Sequence, residues 1–291
     1  MKQVKTFDIF LLTLLGAIWG SSFLNIKIAS FSYEPITLAL IRVIFASIPL
    51  IILCSYKKIK IEAFSKDWKP YALIGLCNIA IPFTLIALGT SKINSYLASM
   101  LMATTPMSGS LLAHFFTKNE KITLFKSLGI IVGFLGIVFL FFDEIVINKS
   151  NYIYALLCIV GSTFYSIGGL LTLKIKKKGN ENVTTSTTLW SVIFLLPMSL
   201  IFESPWTAEP SLGSTISLVY LGVIATGGAW LIRFRILTVN GLVFQTQVAY
   251  LIPIFGIFFG YFLMNEVITW RVIISLIIII TGIYIVKKNI K

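Results

Sequence analysis

The chain has 291 residues, of which 57% are hydrophobic and only 12% charged. A soluble domain carries roughly a quarter of its residues as Asp, Glu, Lys or Arg, so a water-soluble globular protein is excluded and an integral membrane protein is expected. The net charge of +13 would suit a nucleic-acid binder only if the cations formed one patch, and they are distributed otherwise.

The apolar residues fall in runs of roughly 18 to 22, long enough to cross a hydrocarbon core of about 30 Å as helices. Ten such runs are predicted. The first, 8–28, holds Trp19-Gly20-Ser21-Ser22-Phe23, Asn25 and Lys27. It follows Met1-Lys2-Gln3-Val4-Lys5, which resembles a secretory signal, but no small-x-small cleavage site stands out and the segment is expected to remain as a helix. The second, 35–55, opens at Pro35 and holds Arg42; the third, 70–88, holds Asn78 and Pro82. The fourth, 96–116, contains Thr104, Thr105, Pro106 and Gly109, with His114 near its end, and the fifth, 124–142, is lined by Gly129, Gly133 and Gly136. The sixth, 152–173, carries Gly161-Ser162-Thr163-Phe164-Tyr165, and the seventh is 186–202. The eighth, 214–234, has Thr226 and Trp230; the ninth, 243–263, has Gln245, Gln247, Tyr250, Pro253 and Gly256; the tenth is 268–286. The longest connection, Tyr56 to Lys69, leaves no room for a soluble domain.

If the ten spans alternate from a cytoplasmic N-terminus, nineteen of the 24 Lys and Arg residues fall on the inside and only Lys92, Lys149 and Arg271 on the outside. This asymmetry obeys the positive-inside rule and predicts a multi-pass protein of the cell (inner) membrane with both termini cytoplasmic. The lipid bilayer, and no nucleic acid, is the expected macroscopic partner. Cys54, Cys77 and Cys158 lie in predicted spans without CxxC or metal spacing, so they read as packing residues. No metal and no cofactor is expected, and no motif assigns an oligomeric state.

The chain repeats itself. Thr105-Pro106-Met107-Ser108-Gly109, leading to Lys118-Asn119-Glu120-Lys121-Ile122-Thr123, is echoed by Ile252-Pro253-Ile254-Phe255-Gly256 leading to Met264-Asn265-Glu266-Val267-Ile268-Thr269. Gly20-Ser21-Ser22-Phe23 matches Gly161-Ser162-Thr163-Phe164, Leu40-Ile41-Arg42-Val43-Ile44-Phe45 matches Leu189-Trp190-Ser191-Val192-Ile193-Phe194, and Gly136 matches Gly282. The units are 1–145 and 150–291, each of five helices. Because five is odd, the second enters the membrane upside down, giving an inverted repeat about an axis in the membrane plane. The fold class expected is all-α integral membrane, ten helices in two inverted repeats. Small residues four apart, such as Gly256 and Gly260, are expected to let backbones pack closely. Pro82, Pro106 and Pro253 are expected to kink their helices.

In the order and duplication of these motifs the chain resembles the drug/metabolite transporter superfamily of the EamA-domain type. The resemblance rests on Trp19-Gly20-Ser21-Ser22-Phe23 with Lys27, Pro35 followed by Arg42, the Thr105-Pro106 helix leading to Asn119-Glu120-Lys121, the glycine-rich fifth helix and the second copy of that pattern. It covers nearly the whole chain. It implies ten helices, both ends inside, a central cavity bounded by helices 1, 3, 4, 6, 8 and 9, and movement of a small organic solute such as an amino acid, related metabolite or drug. Ser191 stands where the first copy has Arg42, and no basic residue matches Lys27, so the cavity is expected to be electrostatically lopsided.

Intramembrane polar residues are costly and each needs an account. Lys27 and Arg42 have two readings: snorkelling or pairing with Glu34 at the outer surface, or a cationic region in the outer half of a cavity that attracts a carboxylate. Asn78, Gln245 and Gln247 either bond a neighbouring helix or face the solute. Trp19 and Trp230 are mid-span, away from the interfacial belt, and suit either packing or the wall of a solute site. With Ser22, Asn25, Thr105, Tyr165 and Tyr250 these residues form the expected substrate-binding set. No Asp or Glu lies in the middle of a span, which favours facilitated diffusion or exchange over a carboxylate proton relay. HExxH, an aspartate-rich pair and a serine–histidine pair at matching depth are absent, so an enzyme is not expected. The function expected is secondary, non-ATP transport of a small carboxylate-bearing metabolite by alternating access. A drug or toxic-metabolite exporter and a non-transporting membrane protein are the alternatives.

Overall fold

The computed structural model of the protein describes residues 6–116, 123–140, 152–175, 178–240 and 248–288. Within them, ten helical segments follow one another: α1 (Thr6–Ala29), α2 (Pro35–Tyr56), α3 (Lys69–Lys92), α4 in two pieces (Ser95–Leu101 and Thr104–Phe116), α5 (Leu124–Leu140), α6 (Tyr152–Lys174), α7 (Asn180–Phe202), α8 (Leu212–Val219, continued to Asn240), α9 (Val248–Met264) and α10 (Trp270–Lys288). Ten antiparallel crossings bring both chain termini to one end of the bundle, called here the terminal end.

Each predicted span corresponds to one of these segments. The largest boundary differences are six residues each: α7 starts at Asn180 rather than 186, and α8 runs to Asn240 rather than 234. Hydropathy leaves Thr184 and Thr185 outside the span as too polar, yet they and the next three residues are buried. Thr187 and Thr188 donate their hydroxyls back to the Thr184 carbonyl at 2.9 and 2.7 Å, so the helix satisfies its own polar groups.

Two helices change register mid-membrane. α3 passes through a π-helical turn at Leu76–Ala80, and α8 through a longer one at Tyr220–Gly228. These are the third helices of the two repeats. In α3 the cause is legible: Pro82 has no N–H, and its ring crowds the carbonyl of Asn78 four residues earlier, so the ladder shifts just there. α4 breaks at Met102-Ala103 for the same reason, since Met102 precedes Pro106 by four. In α8 no proline is involved; Gly222, Gly227 and Gly228 occupy the π segment.

The helix pairs obey the two-fold relation expected of an inverted repeat. α1 packs on α9 and α6 on α4; α3 packs on α6 and α8 on α1; α2 packs on α8 and α7 on α3. α2 with α7, and α5 with α10, are pairs that map onto themselves. The α5–α10 pair is the tightest: a Cβ at Gly282 would lie 2.6 Å from the Cα of Gly133, closer than any side chain allows, so only glycine permits this approach.

At the terminal end, the loop between α2 and α3 is fastened to α7. Lys57 pairs with Glu181 at 2.9 Å and Lys178 with Glu62 at 3.2 Å. The Glu62 N–H donates to Asn182 Oδ1 at 2.9 Å, and Trp190 Nε1 donates to the Ala63 carbonyl at 2.7 Å. The Tyr71 hydroxyl and then Lys178 hold the Glu62 carboxyl below its ordinary value of 4.5. A depressed carboxylate stabilises the fold above the ordinary value and loses that contribution as pH falls through the lowered one. Melting temperature plotted against pH should therefore fall on the acid side in the wild type, with a shallower fall in Glu62→Gln.

Candidate functional site

Polar and aromatic residues from both repeats meet where α1, α2, α3, α6 and α8 come together. Arg42 is their centre. It lies seven residues into α2, about 10 Å from the far end, and is only 8% exposed. Its guanidinium carbon sits 3.9 Å over the ring of Phe83 on α3. Its Nε donates to Thr226 Oγ1 on α8 at 3.0 Å. Among the described residues no carboxylate pairs with it, and its remaining N–H groups have no hydrogen-bond partner. Burying an unpaired charge costs several kcal/mol; a cation over an aromatic face offsets about 2 kcal/mol of that when desolvated.

The π segments build the two sides of this group. Thr226 donates its own hydroxyl to the Leu221 carbonyl five residues earlier at 2.8 Å, which orients its oxygen to accept from Arg42. The segment is tied to α1 twice: Trp19 Nε1 donates to the Ala225 carbonyl at 3.2 Å, and the hydroxyls of Ser21 and Tyr220 lie 2.7 Å apart. On the other side Phe83 follows Pro82, and its ring meets the edge of Tyr165 of α6 at 6.2 Å. Asn78, in the π segment of α3, is half-buried and opposes Gly168 of α6 so closely that a Cβ there would come within 2.8 Å of the Asn78 Cα. Glycine at 168 is thus what lets α3 and α6 meet at the site.

Of the residues expected from sequence, Trp19, Arg42, Asn78 and Tyr165 belong to this group. Trp230 lies one turn beyond Thr226, under the guanidinium of Arg233 at 4.6 Å. Thr105 is at the break in α4; its carbonyl accepts from Ser166 Oγ at 2.9 Å, and its own hydroxyl is buried without a partner among the described residues. Tyr250 is half-buried on α9 and packs against the core. Ser22 and Asn25 turn back on their own helix, donating to the carbonyls of Ile18 and Ser21 at 2.9 Å each. Gln245 and Gln247 lie outside the described residues.

Lys27 and Arg42, expected together in the outer half, are separated. Lys27 Nζ donates to the carbonyls of Ser91 and Ile93 at 2.9 Å each. It caps the C-terminal end of α3, where free carbonyls and the negative pole of the helix favour a cation. Neither cation pairs with Glu34 among the described residues. Phe83 was not foreseeable: it is one of 23 phenylalanines, and the only local signal is the proline before it.

The pattern of the EamA-like transporter family matches this chain twice, over residues 6–142 and 152–287. YoaV of Bacillus subtilis (strain 168), an uncharacterized transporter, is 23% identical over 269 residues, 92% of each chain. An uncharacterized transporter of Archaeoglobus fulgidus is 24% identical over 295 residues, 96% of each chain. The protein PagO of Salmonella typhimurium is 22% identical, over 98% of this chain and 93% of its own length. A protein of known crystal structure, 13% identical in sequence, superposes with a TM-score of 0.71 over 97% of this chain and 98% of its own, and so shares the fold. With both repeats matched across nearly its full length, and a ten-helix fold whose polar groups converge between them, the chain belongs to the EamA-like transporter family of the drug/metabolite transporter superfamily and is a multi-pass membrane transporter rather than an enzyme.

Proposed function

We propose that the protein is a secondary carrier of a small organic carboxylate, an amino acid or related metabolite, and that the carboxylate docks on Arg42. The observation that carries this reading is the Arg42 guanidinium itself: buried between the repeats, over the ring of Phe83, with one N–H used and no carboxylate paired with it among the described residues. A planar guanidinium binds a carboxylate through two parallel N–H···O bonds, and a solute anion would supply the counter-charge that the protein withholds. Trp19, Phe83 and Tyr165 are the apolar walls of the site. Asn78, whose side chain has no hydrogen-bond partner among the described residues, meets the polar part of the solute.

Alternating access follows from the inverted repeat. The π segments of α3 and α8 are related by the two-fold, adjoin the site and break the regular ladder, so they are the hinges about which the halves rock. The cation distribution orients the terminal end to the cytoplasm. Without an acid in mid-membrane the carrier runs by facilitated diffusion or exchange.

The test is counterflow into proteoliposomes of labelled amino acids, 2-oxo acids and aromatic monocarboxylates, beside their amides and a set of organic cations, with and without a proton gradient. Saturable flux of carboxylates, absent for the amides and indifferent to the gradient, is expected. Flux of the cations alone would favour the drug-exporter reading and overturn this one.

A further inference from the structure

The face of α8 that holds Arg42 continues towards the terminal end. Thr226, Trp230 and Arg233 are at i, i+4 and i+7, which places them on one side of the helix. Arg233 is seven residues beyond Thr226, about 10 Å further along the axis. Its guanidinium carbon lies 4.6 Å over the Trp230 ring. Its Nε is buried without a hydrogen-bond partner, and no carboxylate pairs with it among the described residues.

This is not how an arginine behaves when it merely marks the membrane surface. A snorkelling side chain extends its head into water and hydrates every donor. Arg233, half-buried, instead folds onto the half-buried Trp230 beside the buried stripe of Ala225, Ala229 and Ile236 on α8 and leaves its Nε dry, at a cost that a native structure seldom tolerates without a reason. Arg235, two residues on, is exposed and lies 5.2 Å over Phe7 at the end of α1, and so fits the surface role. Arg42 and Arg233 share one arrangement: a guanidinium over an aromatic ring, a donor without a partner, and no paired carboxylate among the described residues. They stand along one helix face, linked by Thr226.

We propose that Arg233 is a second anion-binding station, at the terminal-end mouth of the path, which holds the carboxylate of the solute before and after it occupies Arg42. The inference rests on the reading that the solute is a carboxylate. Two cations spaced this far apart let the anion step from one to the other without crossing apolar surface uncompensated, and the outer one raises the local anion concentration at the mouth. The stacked Trp230 reports on the station, because an anion drawn to the guanidinium changes the field over the indole.

The experiment uses the full-length protein in nanodiscs, with benzoate as the probe and chloride as the ionic-strength control. The response of Trp230 is obtained by subtracting the emission of Trp230→Phe. A saturable benzoate response of Trp230 is expected. Arg233→Gln should weaken its half-saturation by at least about tenfold, Arg233→Lys should recover part of that loss as a point charge does, and Arg42→Gln should leave it within about twofold. The Arg233→Lys variant guards against a loss caused by misfolding. No saturable response in the wild type, an unchanged half-saturation in Arg233→Gln, or disappearance of the response in Arg42→Gln would each overturn the proposal. Failure of the carboxylate-carrier reading looks different: the Trp230 response persists while the proteoliposomes carry no carboxylate.

Discussion

Arg42→Gln is expected to lower carboxylate flux by a factor of roughly 100 or more, the equivalent of losing two charge-assisted hydrogen bonds worth about 1.5–3 kcal/mol each. The same substitution should not lower stability. The protein itself gives Arg42 a single hydrogen bond and an aromatic face, and replacing an uncompensated buried charge by a neutral side chain is neutral or stabilising. The melting temperature of Arg42→Gln or Arg42→Met in detergent should equal or exceed that of the wild type. That pairing of outcomes separates a binding role from a structural one: an arginine kept to hold α2, α3 and α8 together would lose flux and melting temperature together. Arg42→Lys is expected to rescue little flux. An ammonium cannot form the parallel pair of bonds to a carboxylate and cannot lie flat on Phe83. Full activity in the lysine variant would mean that charge alone matters at this position.

How much of this was legible in the residues depends on the range of the interaction. The ten helices were, because apolar run length is set by the thickness of the bilayer and by nothing else in the fold. The repeat was, because both copies must present the same small and kinking residues to build the same contacts. Arg42 as a candidate was legible because a charge in a span is costly wherever it points. What it touches was not: Thr226 and Phe83 reach it from other helices, 184 residues away in the case of Thr226. Lys27 shows the same limit from the other side. Its sequence signal resembles that of Arg42, yet the geometry gives it two backbone carbonyls of α3. The π segments were hidden because hydropathy is blind to hydrogen-bond register. Pro82 hinted at one, and nothing comparable marks the other.

The acids at the ends of the spans carry the second large effect. Glu203, at the end of α7, accepts from the N–H groups of Ile36 and Thr37 at 2.8 and 2.7 Å and from the Thr37 hydroxyl at 2.7 Å. The Ser199 hydroxyl joins the same cluster, 2.7 Å from that of Thr37. Glu34, the residue that precedes α2, offers no side-chain cap of its own, so the cap comes from the other repeat. Glu266 does the same for the first piece of α4, accepting from the Ser95 N–H at 2.6 Å, the Ser95 hydroxyl at 2.9 Å and the Tyr96 N–H at 3.3 Å. In both cases a carboxylate of the second repeat neutralises the positive pole of a helix in the first, at the far end of the bundle. Glu203→Ala removes the acceptor of two half-buried backbone donors. It should cost about 3 kcal/mol and speed hydrogen exchange at Ile36 and Thr37, with exchange at the far-end amides of α5 unchanged. Glu203→Gln, which keeps one acceptor oxygen, should lose roughly half as much. Because the carboxylate spans the two halves, its removal should also favour the state open at the far end, raising the rate of counterflow whenever opening at that end is the slower step. A stability loss with unaltered exchange at Ile36 and Thr37 would show that Glu203 acts elsewhere than at this cap.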